Sequence, residues 1–180
     1  MLQQTQVSRV LEFYPQFLKR FPSLETLAQA KPKAVREAWE GLGYYARAAN
    51  LHALARVVSE TNAGALPDTP DQLEQLPGVG RYTAGAVACF AYEKRAATVD
   101  TNVKRVLQRV FGAKDPWRLS ETILPRDGKR AYNFNQALME LGALVCKARS
   151  PNCPECPVRS VCRTAPRVLR TRSRPRAPRG

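Results

Sequence analysis

Four cysteines, Cys146, Cys153, Cys156 and Cys162, stand in a C-x6-C-x2-C-x5-C array within seventeen residues near the end of the chain. Whatever the chain folds into, this stretch must close on itself around disulfides or around a metal centre. The chain shows neither a basic stretch leading into a short apolar run nor an apolar run of roughly 18 residues, so neither a secretory signal nor a membrane span is expected. That composition reads as a soluble, intracellular, cytoplasmic protein, where thiols stay reduced and a disulfide framework is disfavoured. Four thiolates on one short loop suit a tetrahedral zinc ion or an iron-sulfur cluster, and sulfur ligands alone do not decide between them. Structural zinc usually pairs two short C-x2-4-C knuckles. Only one short spacing occurs here, and the uneven loop suits a larger cubane better. The fifth cysteine, Cys89, lies in a run of small apolar residues and reads as a packing residue.

The rest of the chain predicts an all-α fold. Its apolar runs are long, rich in Ala and Leu, and spaced for helices rather than alternating. Val7, Val10, Leu11, Tyr14, Phe17, Leu18 and Phe21 follow the i, i+3, i+4, i+7 rule, and that helix reads as already under way at residue 2 with no capping residue before it, like a helix whose front was cut off. Ser23 can cap a short helix ending near Ala30, and Pro32 is a first-turn proline for a helix that stops at Gly41. "GLGYYARAANLHALARVVSETNAG" gives a long helix closed by Gly64, with His52, the only histidine, on its surface. Thr69 and Pro70 start another helix, which ends at the dense turn "LPGVG". "RYTAGAVACFAY" reads as a buried helix, Asp100 can cap "TNVKRVLQRVFG", and "RAYNFNQALMELGALVC" runs into the cysteines.

The formal net charge of +14 points to a polyanion, nucleic acid or an anionic surface. Six arginines of the Pro/Arg-rich stretch after Ala165 account for part of it; that stretch cannot bury a core and is expected to be disordered. Removing those six charges leaves +8, so the body is basic as well. In "LPGVGRYTAG", Gly78 and Gly80 permit positive φ and let backbone N–H groups approach a phosphate, with Arg81 adding charge, although a glycine turn between helices is also ordinary. Asp100 in "VDTNVKR" is most simply a helix cap, and an acid can cap and catalyse at once.

The order "LPGVGRYTAG", "VDTNVKRV" and C-x6-C-x2-C-x5-C resembles the helix-hairpin-helix DNA glycosylase superfamily that includes endonuclease III, and "MLQQTQV", "GLGYYARAANL" and "FNQALMELGA" are similar to its adenine glycosylase (MutY) branch. The resemblance runs from Met1 to about Cys162. It implies a helix-hairpin-helix lobe over residues 1–112, a lobe over 113–164 ending in a 4Fe-4S cluster loop held by the four cysteines, and a tail over 165–180. It also implies a monomeric, nucleoid-associated enzyme that flips adenine out of double-stranded DNA from mispairs with 8-oxoguanine or guanine.

By that resemblance Asp100 is the carboxylate that stabilises an oxocarbenium-like sugar, and Asn102 is its polar partner, although the family more often has Gly than Thr at residue 101. Tyr82 stands where bifunctional relatives carry an attacking lysine, so Schiff-base lyase chemistry is not expected. Gln4, Leu42 and Tyr44 match residues that wedge into the DNA stack, Thr5 a contact to the opposite purine, and Arg47 a group within reach of a phosphate or the base pocket. Read without the family, Gln4 and Thr5 are helix surface and Leu42 and Tyr44 are core. The family's general acid is a glutamate two residues before the methionine of "MLQQTQV"; it is absent from this sequence, and so is the separate C-terminal domain that helps read 8-oxoguanine. Two other readings stand beside this one: an endonuclease III-like glycosylase and lyase, opposed by Tyr82 and "LQQTQ", and a DNA-binding module without catalysis.

Overall fold

A computed structural model describes residues 1–61 and 64–165. The arginine-rich stretch from residue 166 onward, expected to be a disordered tail, lies outside the described residues. Among these the regular structure is helical, with no strand. The chain parts into two compact units, Met1–Gly80 and Arg81–Gly180.

The first unit holds α1 (Val7–Arg20), α2 (Leu24–Gln29), α3 (Pro32–Ala38), α4 (Ala46–Thr61) and α5 (Pro70–Glu74). Local chemistry sets most of these ends. Ser23 and Thr26 form a reciprocal capping box at α2, and Pro32 and Pro70 occupy first-turn positions where a missing N–H costs nothing. The core gathers Phe17, Phe21, Leu27, Val35, Trp39, Leu42, Ala48 and Ala55. Phe17 meets Trp39 edge to face at 5.8 Å, and the Trp39 indole N–H donates to the Gly43 carbonyl at 3.1 Å, so a buried ring keeps its polar atom satisfied.

Three expectations need correction in this unit. The first helix does not run from residue 2: it begins at Val7, because Gln4 adopts φ 55°, which no right-handed helix accommodates. Only half of its apolar stripe is used. Val10, Phe17 and Phe21 are buried, whereas Val7, Leu11, Tyr14 and Leu18 are exposed. "GLGYY" is a loop rather than the front of α4, since Gly41, Gly43 and Tyr44 all take positive φ. His52 is buried, with 8% of its surface exposed, because the face of α4 that carries it is also the face that packs in the unit.

The second unit holds α6 (Arg81–Tyr92), α7 (Thr101–Phe111), α8 (Pro116–Ile123) and α9 (Gly128–Glu140), which runs on through a π-helical turn, Leu141–Val145. Val99, Val103 and Leu107 form a core with Trp117, Leu119, Ile123, Leu138 and Met139 packed around it. Helix α8 has no counterpart in the sequence reading; its signal is Asp115, whose carboxylate accepts from the N–H groups of Trp117 and Arg118, followed by a first-turn proline. Small residues on α6 have a steric reason: a Cβ at Gly85 would stand 2.3 Å from the Ala97 carbonyl oxygen. Cys89 is fully buried, and that burial holds its thiol above the usual range against the opposing hydrogen bond from Asn135. Helix α7, expected with the first lobe, lies in the same unit as the four cysteines.

Candidate active site and cysteine cage

Asp100 caps α7. Its Oδ1 accepts from the Val103 N–H at 2.7 Å, and its Oδ2 accepts from Asn102 Nδ2 at 3.0 Å. Both oxygens are therefore oriented by donors at the start of α7. The cap is a half-buried carboxylate with a donor on each oxygen. Burial, and then the charge of Asp100, pushes the Tyr82 phenol above its ordinary range, so it remains a neutral hydroxyl at physiological pH. No amine stands at that position to attack a sugar carbon.

The support for Asp100 reaches the cysteine loop. The Arg105 guanidinium donates to Asn102 Oδ1 at 2.8 Å, to the Gly142 carbonyl at 2.7 Å and to the Cys146 carbonyl at 2.8 Å. Gly142 lies so near the start of α7 that a Cβ there would stand 2.7 Å from Asn102 Cβ and 3.0 Å from its carbonyl carbon and oxygen. Arg109, one turn further along, donates to the carbonyls of Lys147 and Ala148, both at 2.8 Å, with Cys146 Sγ 3.6 Å away. Arg105 and Gly142 were not picked out from sequence. Arg105 falls three residues after Asn102 on the same helix face, a weak signal, and nothing local marks Gly142.

Cys146, Cys153, Cys156 and Cys162 line one cavity, walled by Val110, Leu141, Val145 and Pro151. None of the five cysteines is in a disulfide. Among the described residues no three His, Cys, Asp or Glu side chains close on a point where one ion would touch them all. Four half-buried sulfurs thus line one cavity, and with a single short spacing among them they suit an iron-sulfur cluster.

In the first unit the structure gathers five of the expected DNA-facing residues. The Arg47 guanidinium donates to the carbonyls of Met1, at 2.8 Å, and Gln3, to Thr5 Oγ1 at 2.9 Å, and to the carbonyls of Leu42 and Gly43, both at 3.3 Å. It also lies over the rings of Trp39 and Tyr44. Its two terminal nitrogens are thus committed within the protein, tying the loop of Gln4 and Thr5 to the loop of Leu42 and Tyr44. Leu42 is buried in the core, while Tyr44, at 64% exposure, and Gln4 are presented to solvent, each in a left-handed conformation. Replacing Arg47 by Lys is expected to lower stability by about 1.5–3 kcal/mol, because an ammonium cannot span these acceptors as a planar fork does. Thermal unfolding of the variant checks this, and an unchanged midpoint would refute it.

Gly78 takes φ 75°, and a Cβ there would meet Asn50 Cβ at 2.5 Å, so the turn demands glycine. Gly80 has no such crowding. Arg81 is paired with Glu121 at 2.7 Å and stacked on Trp117 with 4.2 Å to the ring centroid.

Residues 1–123 match the family described as HhH-GPD superfamily base excision DNA repair protein, and residues 146–162 match the iron-sulfur binding domain of endonuclease III, which starts and ends on the outer cysteines of the array. The chain is 46% identical over 182 residues to the adenine DNA glycosylase of Mus musculus, covering 94% of this chain and 35% of that protein. With the adenine DNA glycosylase of Mycobacterium tuberculosis it shares 45% over 169 residues, 88% of this chain and 55% of the other. The chain thus spans between a third and about half of the length of these curated relatives. Among solved structures, a thermostable thymine-DNA glycosylase superposes with a TM-score of 0.85 at 32% identity, covering 92% of this chain and 80% of that one. A non-covalent endonuclease III-DNA complex superposes at 0.82 with 25% identity, covering 94% and 81%.

Proposed function

The chain belongs to the HhH-GPD superfamily of base excision DNA repair proteins, with the 4Fe-4S cluster segment of endonuclease III at Cys146, Cys153, Cys156 and Cys162, and from that footing we propose that it removes adenine mispaired with 8-oxoguanine or guanine. The observation that carries the proposal is the Asp100 carboxylate, held by Val103 and Asn102 beside a Tyr82 that stays a neutral phenol. In this reading the adenine leaves the base stack for a pocket, and the N-glycosidic bond breaks through an oxocarbenium-like sugar. Asp100 stabilises the positive charge that develops on the sugar. Asn102 keeps its carboxylate in place, and Arg105 keeps Asn102 in place. Water completes the hydrolysis, and with tyrosine at residue 82 no covalent bond to the sugar forms, so the strand stays whole.

Gln4, Thr5, Leu42 and Tyr44 enter or read the stack beside the lesion, with Arg47 holding their two loops in register. The Gly78 to Arg81 turn contributes phosphate contacts, and binding weakens steeply with salt. The cluster, when bound, cross-links the 146–162 loop against α7. The partner is double-stranded genomic DNA; no helix among the described residues is long and apolar enough to cross a membrane. We place the protein as a monomer on DNA in the cytoplasm.

Single-turnover assays on duplexes carrying adenine opposite 8-oxoguanine, adenine opposite guanine, thymine opposite guanine or an oxidised pyrimidine test the reading. Release of adenine without strand scission is expected. Excision of thymine or of the oxidised pyrimidine, or nicking of the strand, would favour the endonuclease III-like reading. Duplex binding with no base released at all would favour a module without catalysis.

A further inference from the structure

The cysteine loop meets α7 at both of its ends, and it meets the same turn. At its head the half-buried Arg109 guanidinium donates to the carbonyls of Lys147 and Ala148, both at 2.8 Å. At its tail the Thr164 hydroxyl donates to the Arg109 carbonyl at 2.7 Å, and the Arg163 N–H donates to the Val110 carbonyl at 3.1 Å. A planar fork bonded to two loop carbonyls has little freedom left, so its charge is fixed in place. That place is the wall of the cavity lined by the four cysteines of the array. Arg109 Nη1 carries two N–H groups; besides the Lys147 carbonyl it reaches Cys146 Sγ, at 3.6 Å.

Cysteines apart, Arg109 is the one ionisable side chain among the described residues that line this cavity; the other walls are apolar or neutral. None of the ion pairs among the described residues involves it, so no carboxylate cancels its charge. A cluster held by four thiolates is an anion, and it gains one more negative charge when it takes up an electron. A fixed cation on the cavity wall, with an N–H aimed at a ligand sulfur, favours that more negative state. We propose that Arg109 sets the reduction potential of the bound cluster, holding it above the value that the same four cysteines would give without a charge on the wall. The proposal rests on the cluster at these cysteines and not on which base the protein excises.

The cluster-loaded protein, its iron and sulfide content and visible band confirmed, is compared with Arg109→Gln and Arg109→Lys by voltammetry, the electrode supplying and taking up the electron. Arg109→Gln is expected to shift the couple to more negative potential. Arg109→Lys, which keeps the charge but not the fork, is expected to shift it less. The sign separates this from a merely loosened loop, because water admitted to the cluster solvates the more highly charged state better and moves the couple the opposite way. A cluster-loaded Arg109→Gln variant with an unchanged or more positive potential overturns the proposal. Where Arg109→Gln loads no cluster, the parental protein decides. With nitrogen-15 placed only at the terminal guanidino nitrogens of arginine, a hyperfine coupling to the cluster in its paramagnetic state is expected, and it is lost in Arg109→Lys. A parental protein with the visible band intact and no such coupling overturns the proposal, whether or not adenine is released in the excision assay.

Discussion

Asp100→Asn is expected to lower adenine release by about 10²–10³, the cost of removing one preorganised group that stabilises charge in a transition state. The expectation is specific because the same substitution should leave the fold intact. Asparagine caps a helix about as well as aspartate, so its side-chain oxygen can still accept from the Val103 N–H. What disappears is the negative charge and the bond from Asn102, since an amide nitrogen at the Oδ2 position faces a second amide donor. Single-turnover release should therefore fall while affinity for the mispaired duplex and cluster content stay at their original values. Excision by the variant at the parental rate would remove Asp100 from the mechanism.

The second large effect concerns the cysteine cage. Cys156→Ser is expected to abolish the broad visible absorption at about 400 nm that cysteine-ligated clusters show, and to destabilise the second unit severely. Between Cys146 and Cys162 the chain contains only two single-turn 3-10 segments, Cys153–Glu155 and Arg159–Val161. So little regular structure cannot hold a closed loop unaided. For structural metal sites the binding free energy, of order 10 kcal/mol, is folding free energy. The consequence extends to catalysis, because Arg105 is anchored on the carbonyls of Gly142 and Cys146 and in turn positions Asn102. Loss of the cluster should therefore depress excision even on duplexes that still bind. Iron and sulfide analysis with the visible spectrum checks the claim; a colourless, zinc-loaded and fully folded parental protein would refute it.

Much of this could be read directly from the amino-acid sequence because the causes are local. Ser23, Asp100, Pro32 and Pro70 mark helix starts through bonds or missing donors within one turn, and Gly64 and Gly112 take the left-handed conformations of turns that follow helices. The four-cysteine spacing and the motifs around Tyr82 and Asp100 are also local patterns, which is why family and cofactor were legible before any coordinates. Local patterns also misled where a non-local contact opposed them. Helical periodicity would carry α1 back to residue 2, but the guanidinium of Arg47, 46 residues away from Met1 in sequence, bonds the backbone there instead.

Whether an apolar stripe is buried, whether His52 faces water, and whether a glycine must stay a glycine depend on what lies opposite, and that neighbour is set by packing at long range. Thus sequence alone determined the helical class, the cysteine cage and the acid that caps a helix at residue 100. Tertiary structure alone decided that Arg105 and Gly142 connect that acid to the cage, and that Arg47 ties two loops of the first unit together. These depend on close approach between distant segments, and a one-dimensional pattern carries no record of such distances.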